Sequence, residues 1–264
     1  MDLPDTLADD LYDFAFCPEP CYERLVDLAN PEPWGEGNRV LKNYLLLSFK
    51  RAVQLTKRDH ATAAAPSALP IVFDEGLCLF NTGLYTRRYE TVYALFEPNT
   101  REDARQRWFL KGFFKESDPA LLSFECLPCR VRFAEDPSEL VFDYRLPIRS
   151  NIDHVLGDER NLTRIPASLK GEENSLLLRR AFEGAVVEAA RRAAANYTLA
   201  VPQFYNGRIQ LLLPLCLTGD KPELALTIQR EDGFYSARTC LTLDMAYNNA
   251  RLICRPESSW IKRG

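Results

Sequence analysis

The chain has 264 residues, 46% of them apolar and 27% charged, with a formal net charge of −4. That composition is ordinary for a globular protein with a sizeable core and excludes a disordered chain. It also excludes a uniformly basic nucleic-acid surface, although a local basic groove stays open.

No apolar run reaches the roughly 20 residues that a membrane-spanning helix needs. The beginning, MDLPDTLADDLYD, is acidic and lacks the basic and apolar regions of a secretory leader. The expectation is a cytoplasmic protein with no membrane partner. Eight cysteines in such a chain read most simply as reduced thiols. Cys17 with Cys21, and Cys126 with Cys129, have the spacing of two halves of a zinc site, but about 105 residues separate the pairs. Free thiols are the simpler reading.

Residues 1–36 are acidic and proline-rich, with aromatic anchors Tyr12, Phe14, Phe16, Tyr22 and Trp34. They read as a packing segment of short helices and turns on a core spanning 37–264. Asn38 to Lys57 carries an apolar stripe near period 3.6 through Val40, Leu41, Tyr44, Leu45, Ser48 and Ala52, which predicts the first long helix. A hairpin follows, LPIVF and LCLF around Asp74-Glu75-Gly76, and then NTGL at 81–84. Tyr93–Glu97 and Trp108–Phe114 read as strands, with another near Leu140–Tyr144. Asn151–Gly157 predicts a short helix capped by Asn151 or Asp153. Glu172–Asn196 predicts the longest helix, burying Leu177, Ala181, Phe182, Ala185, Val186 and Ala189.

The remainder predicts a meander over 198–205, 208–217, 223–230 and 234–241, closed by a helix over 244–252. Asn206-Gly207 and Asp232-Gly233 are expected to make type I′ turns. No internal repeat is visible. Hairpins outnumber strand–helix alternations, so the expected class is α+β: a single domain, 1–264, with a mainly antiparallel sheet core covered by two long helices.

Common catalytic signatures are absent. There is no GxxxxGK[ST] loop, no GxGxxG, no GxSxG and no HExxH, and the chain has only two histidines. What stands out is polar cargo within core-like runs near the C-terminus. A buried polar group is costly unless hydrogen-bonded, so the cargo implies either a satisfied network or a ligand surface.

Four groups of residues are candidates. Asp244 at the start of the last helix, with Asn248, Asn249 and Arg251 along it, could hold a phosphate, a ribose or a metal-bound nucleotide. Asp244 would also serve as a metal ligand, for Mg2+ or Mn2+, although simple helix capping explains it equally well. In a two-residue hairpin, Tyr205 pairs with Arg208 and Gln203 with Gln210. These side chains could read a base edge or a phosphate, or form a solvent-facing polar surface. Asn81, Thr82 and Gly83 could offer backbone amides to an anion. His154, with Arg164 ten residues on, is a candidate for proton transfer, against the commoner structural role of a lone histidine.

LYDFAF (11–16), LKNYL (41–45), LFNTGL (79–84), YETVYALFEPN (89–99), NIDHVLGD (151–158), LAVPQFY (199–205), QLLLPLCL (210–217) and above all RTCLTLDMAYNNARLI (238–253) resemble a bacterial and fungal family catalogued as a domain of unknown function. The resemblance runs over nearly the full length. It implies an association with RNA-binding modules, because family members often accompany cold-shock folds, winged helices and CCCH zinc fingers. It supplies no catalytic residue. The expectation is an RNA- or nucleotide-binding protein that processes a phosphodiester or pyrophosphate bond, with His154 and Asp244 catalytic. The alternative is a non-catalytic protein or RNA interaction module. A satisfied internal polar network beside a protein-binding surface is the third reading.

Overall fold

A computed structural model describes residues 7–261 other than 63, 102 and 259. The first six residues of the N-terminal packing segment therefore lie outside the described residues. The fold is α+β, and by contact the chain divides into two compact units, 1–131 and 132–264. The strands gather into two five-stranded sheets, one in each unit, where the sequence had suggested one C-terminal meander as the core.

The first unit runs α1 (Leu11–Phe14), β1 (Ala15–Phe16), α2 (Glu19–Leu28), α3 (Arg39–Ala61), then β2 (Ile71–Asp74), β3 (Leu77–Tyr85), β4 (Thr91–Pro98) and β5 (Trp108–Lys115). Its sheet order is β1-β5-β4-β3-β2, antiparallel except for β1, which pairs parallel to β5. The N-terminal segment thus contributes an edge strand. The stripe on α3 buries Val40, Leu41, Tyr44, Leu45, Phe49, Ala52 and Val53. Phe49 meets Phe14 at 5.1 Å and Phe80 at 5.4 Å between ring centroids, so helix, N-terminal segment and sheet share one aromatic core.

The second unit runs β6 (Ile148–Arg149), α4 (Ile152–Gly157), α5 (Glu159–Arg164), α6 (Ser175–Ala195), β7 (Val201–Tyr205), β8 (Arg208–Leu215), β9 (Leu224–Glu231), β10 (Phe234–Thr242) and α7 (Leu243–Ile253). Its order is β6-β10-β9-β8-β7, again antiparallel except for the two-residue first strand, which pairs parallel to the last. The two units therefore share one plan: a short strand, helices ending in a long one, then a four-stranded meander whose last strand returns beside the first. No sequence repeat announces this, because strand order depends on pairing and not on residue identity.

Most predicted elements sit where the periodicity placed them. The strand expected near Leu140–Tyr144 does not form; Pro137–Leu140 is a 3-10 turn, and the strand comes later, at Ile148–Arg149. Asn206 and Gly207 both have positive φ, 48° and 78°, as a type I′ turn requires. At Asp232-Gly233 only the glycine does, so that hairpin turns by a different route.

Candidate functional site

A cavity of about 620 Å3 opens on one face of the second sheet. Its floor is the meander, and its rims are α5 and the first turns of α7. Period-2 alternation puts Gln203, Gln210 and Gln229 on this face in one row across β7, β8 and β9. Gln203 Nε2 donates to Gln210 Oε1 at 2.8 Å. Gln210 Nε2 donates to Gln229 Oε1 at 3.3 Å, and Gln229 Nε2 to Glu231 Oε1 at 3.2 Å. From α7, Asn249 Nδ2 donates to Gln203 Oε1 at 2.9 Å. Glu231 also accepts from the Arg238 guanidinium.

Arg238 reaches the wall through a β-bulge. The pairing of β10 with β9 slips between Ala237 and Thr239, so Arg238 is the extra residue, and both it and Thr239 line the cavity. Tyr205 and Arg208 pair at the mouth, flanking the type I′ turn. Tyr205 is 54% exposed, and the Arg208 side chain makes no hydrogen bond or ion pair among the described residues.

Helix α5 supplies the opposite rim. Asp158 caps it by accepting from Arg160 N at 2.9 Å. That backbone bond and then the Arg160 guanidinium hold the Asp158 carboxyl below its ordinary range. Asn161 is 2% exposed and fully engaged. Its Oδ1 accepts from Thr239 Oγ1 at 2.6 Å, Cys240 N at 3.3 Å and Arg164 Nη1 at 3.3 Å, and its Nδ2 donates to Val155 O at 2.8 Å. Arg164 Nη1 also donates to the Cys240 carbonyl. One end of this guanidinium is thus fixed to the sheet while the residue lines the cavity.

The cavity lining therefore carries four arginines, at 160, 164, 208 and 238, against one carboxylate, Asp158. In a chain of net charge −4, that is a local reversal of sign, and it favours an anion. Leu241 and Met245 add apolar surface for a ring. A second, larger groove of about 750 Å3 runs beside α4, α5 and α6, but leucines dominate its wall and no comparable polar row converges there.

Of the residues singled out from sequence, Gln203, Tyr205, Arg208, Gln210, Arg164 and Asn249 meet in the cavity. The others do not line it. Asp244 does not cap α7: Thr242 does, its Oγ1 accepting from Met245 N at 3.3 Å, and Asp244 is exposed in the first turn. The helix begins at Leu243, one residue earlier than expected, so the cap falls on Thr242. No group of three or more His, Cys, Asp or Glu side chains that could hold a metal converges around Asp244 among the described residues. Nor does such a group form at Cys17, Cys21, Cys126 and Cys129 among the described residues, and these cysteines are free thiols; burial pushes the Cys17 thiol up to about 12. Arg251 is 4% exposed, buried on α7. Asn248 is half-buried, and its Oδ1 has no hydrogen-bond partner among the described residues.

His154 is exposed on α4, its backbone N–H capped by Asn151 Oδ1 at 3.2 Å. Asn81, Thr82 and Gly83 lie within β3, at a bulge in the first unit, rather than after a strand. Gly83 N donates to Asn81 Oδ1 at 3.0 Å, Leu84 N to Thr82 Oγ1 at 3.2 Å, and Tyr44 Oη to the Thr82 carbonyl at 2.7 Å. The expected anion-binding amides are thus engaged internally, and the residues are buried.

Reading the sequence alone overlooked Asn161, Gln229 and Arg238. Asp158 ahead of ERNLTR was the available signal for α5, an N-cap before a short helix. Nothing in the sequence marked the bulge that delivers Arg238.

The fold and site define an α+β protein with a polar, arginine-rimmed cavity on an antiparallel sheet. The chain belongs to the family described as a domain of unknown function (DUF3825), whose model matches residues 25–260. No curated protein and no solved structure matches it. No helix among the described residues is long and apolar enough to cross a membrane.

Proposed function

We propose that this cavity binds a nucleotide, free or as a unit of RNA. The observation that carries the reading is the convergence of four arginines and a row of side-chain amides on one concavity of about 620 Å3, a volume suited to a small ligand. Arg164, held by Asn161, and the Arg208 side chain, without an internal partner among the described residues, supply phosphate contacts. The amides meet the base or sugar, and Tyr205 offers a ring for stacking at the mouth. The resemblance noted in the sequence, to proteins that accompany RNA-binding modules, points the same way.

Binding without turnover is the favoured form. The only carboxylate on the lining, Asp158, is committed to a helix cap and to Arg160, and the lining has no histidine. In this reading His154 and Asp244 are not catalytic.

The test is a thermal-shift and calorimetric screen of ribonucleoside monophosphates and short RNAs, with and without Mg2+ or Mn2+. A native-state ligand raises the melting temperature. Arg208→Ala is expected to reduce that shift, and His154→Ala and Asp244→Ala to leave it unchanged. A steep loss of RNA affinity with salt would mean contacts along a backbone. No shift with any nucleotide or RNA overturns the reading.

A further inference from the structure

We infer that the outward face of α6 is a dimerisation surface, on which two copies of this chain pack their α6 helices antiparallel about a two-fold axis at Gly184. Pairing through this face is independent of what the cavity binds.

Gly184 is exposed near the middle of a 21-residue helix, Ser175–Ala195. Glycine in a helix interior is destabilising relative to alanine. A Cβ added at Gly184 would meet nothing within 4 Å, so packing inside the chain does not require the missing side chain. Its absence lets another backbone approach closely from outside. A shallow depression lies there, lined by Arg180, Glu183, Gly184, Val187, Glu188 and Arg191. Leu177, Arg180, Gly184, Val187 and Arg191 recur at three- and four-residue spacing, with Glu188 beside them, so they share one stripe. Leu177 is 54% exposed and Val187 50%, while Phe182, Ala185, Val186 and Ala189 are buried on the opposite face.

The charges on the stripe select the occupant. The side chains of Arg180 and Arg191 make no hydrogen bond or ion pair among the described residues. Glu183 faces Arg179 at 3.2 Å, and Glu188 Oε1 faces Arg192 at 3.4 Å, which leaves Glu188 Oε2 to accept another donor. Two arginines and two glutamates around the depression leave it without net charge, so it suits neither a polyanion nor an anionic lipid surface. They do suit a second copy of themselves. In an antiparallel pair with its axis at residue 184, each residue meets the one equally far along on the other side. Arg180 then lies opposite the second copy's Glu188, and Glu188 opposite its Arg180. Val187 meets Ala181, Leu177 lies along the Arg191 stem, and the two glycines meet at the axis. That axis falls one residue from the helix midpoint, so the two helices overlap along nearly their whole length.

The experiment is sedimentation velocity on the full chain from about 1 to about 200 µM, since one helix pair is a small interface and its dimer should exchange with monomer in that range. The wild type is expected to pass from monomer to dimer mass as concentration rises. Gly184→Gln improves helix propensity but blocks the close approach, and Arg180→Glu and Glu188→Arg each set like charges opposite one another. All three should raise the dissociation constant by roughly tenfold or more, with the far-UV circular dichroism unchanged. An equal mixture of Arg180→Glu and Glu188→Arg regains both opposite-charge pairs in a mixed dimer, and should associate about as tightly as wild type although neither variant does so alone. A wild type that stays monomeric at every concentration overturns the proposal. So does a dimer that Gly184→Gln and both charge reversals leave intact, because it would use another face. A mixture that stays monomeric overturns the two-fold register about Gly184.

Discussion

Asn249 donates its side-chain amide to Gln203 Oε1 at 2.9 Å, and this bond joins α7 to the edge strand of the second sheet. Gln203 is 1% exposed and is bonded on both sides, by Asn249 and to Gln210. Gln203→Ala would leave two partners unsatisfied at a buried position. The expected cost is about 2–4 kcal/mol in urea unfolding, because each buried polar group left without a partner forfeits its solvation.

Arg208 is the contrasting case. It is exposed beside the type I′ turn, and its side chain has no internal hydrogen bond or ion pair among the described residues. Arg208→Ala should change stability by less than about 0.5 kcal/mol, as surface substitutions usually do. Nucleotide affinity should still fall by roughly tenfold or more, since a charge-assisted bond to phosphate is lost. Unfolding and titration of the same preparation separate the two effects.

Asn161 should behave the other way, losing stability and affinity together. Its bonds with Thr239 and Cys240 hold α5 against β10, its bond to Val155 ties it to α4, and its bond from Arg164 fixes one end of that guanidinium. Asn161→Ala is expected to cost about 2–4 kcal/mol in chemical denaturation, from several buried bonds broken at once. Binding should also weaken in the protein that remains folded, because Arg164 is released from its anchor.

Gly83 tests the structural assignment of the NTGL segment. Its φ is +70°, and a Cβ added there would lie 2.7 Å from Tyr44 Oη. Gly83→Ala therefore meets backbone strain and a clash with the phenol that bonds the Thr82 carbonyl. A loss of about 1–3 kcal/mol is expected from the left-handed conformation alone, read as a lower midpoint of denaturation.

Asp143 sets an acid limb. Its carboxylate accepts from Arg145 Nε and Nη2, each at 2.8 Å, and from Arg145 N at 3.1 Å. The Arg145 side chain first, and its backbone N–H second, hold the group at about 2, below the ordinary 3.8. Because the folded value is depressed, the stabilisation is present above 3.8 and is lost as pH falls through about 2. Asp143→Asn should melt below wild type at neutral pH, with the gap closing across that interval in a series of melts.

Much of the framework was legible because periodicity reports which face of an element meets the core. The stripe on α3 and the Phe182–Ala185–Ala189 face of α6 needed only local spacing. The Gln203–Gln210 pair followed from counting outward from Asn206-Gly207, since a two-residue turn fixes the register of its hairpin. Asp244 misled because a carboxylate near a strand–helix junction looks like a cap, and Thr242 lies only two residues away.

By itself, then, the sequence determined the α+β class, the C-terminal meander and the presence of unusual polar cargo on it, all properties of neighbouring residues. Only the tertiary structure decided that this cargo forms a directed row ending on Glu231, that a bulge adds Arg238 to the wall, and that α5 brings Arg164 to the rim. Those facts depend on strand order and helix docking between residues as much as 79 positions apart, as between Asn161 and Cys240. Such proximity is created by folding and leaves no local pattern in the chain.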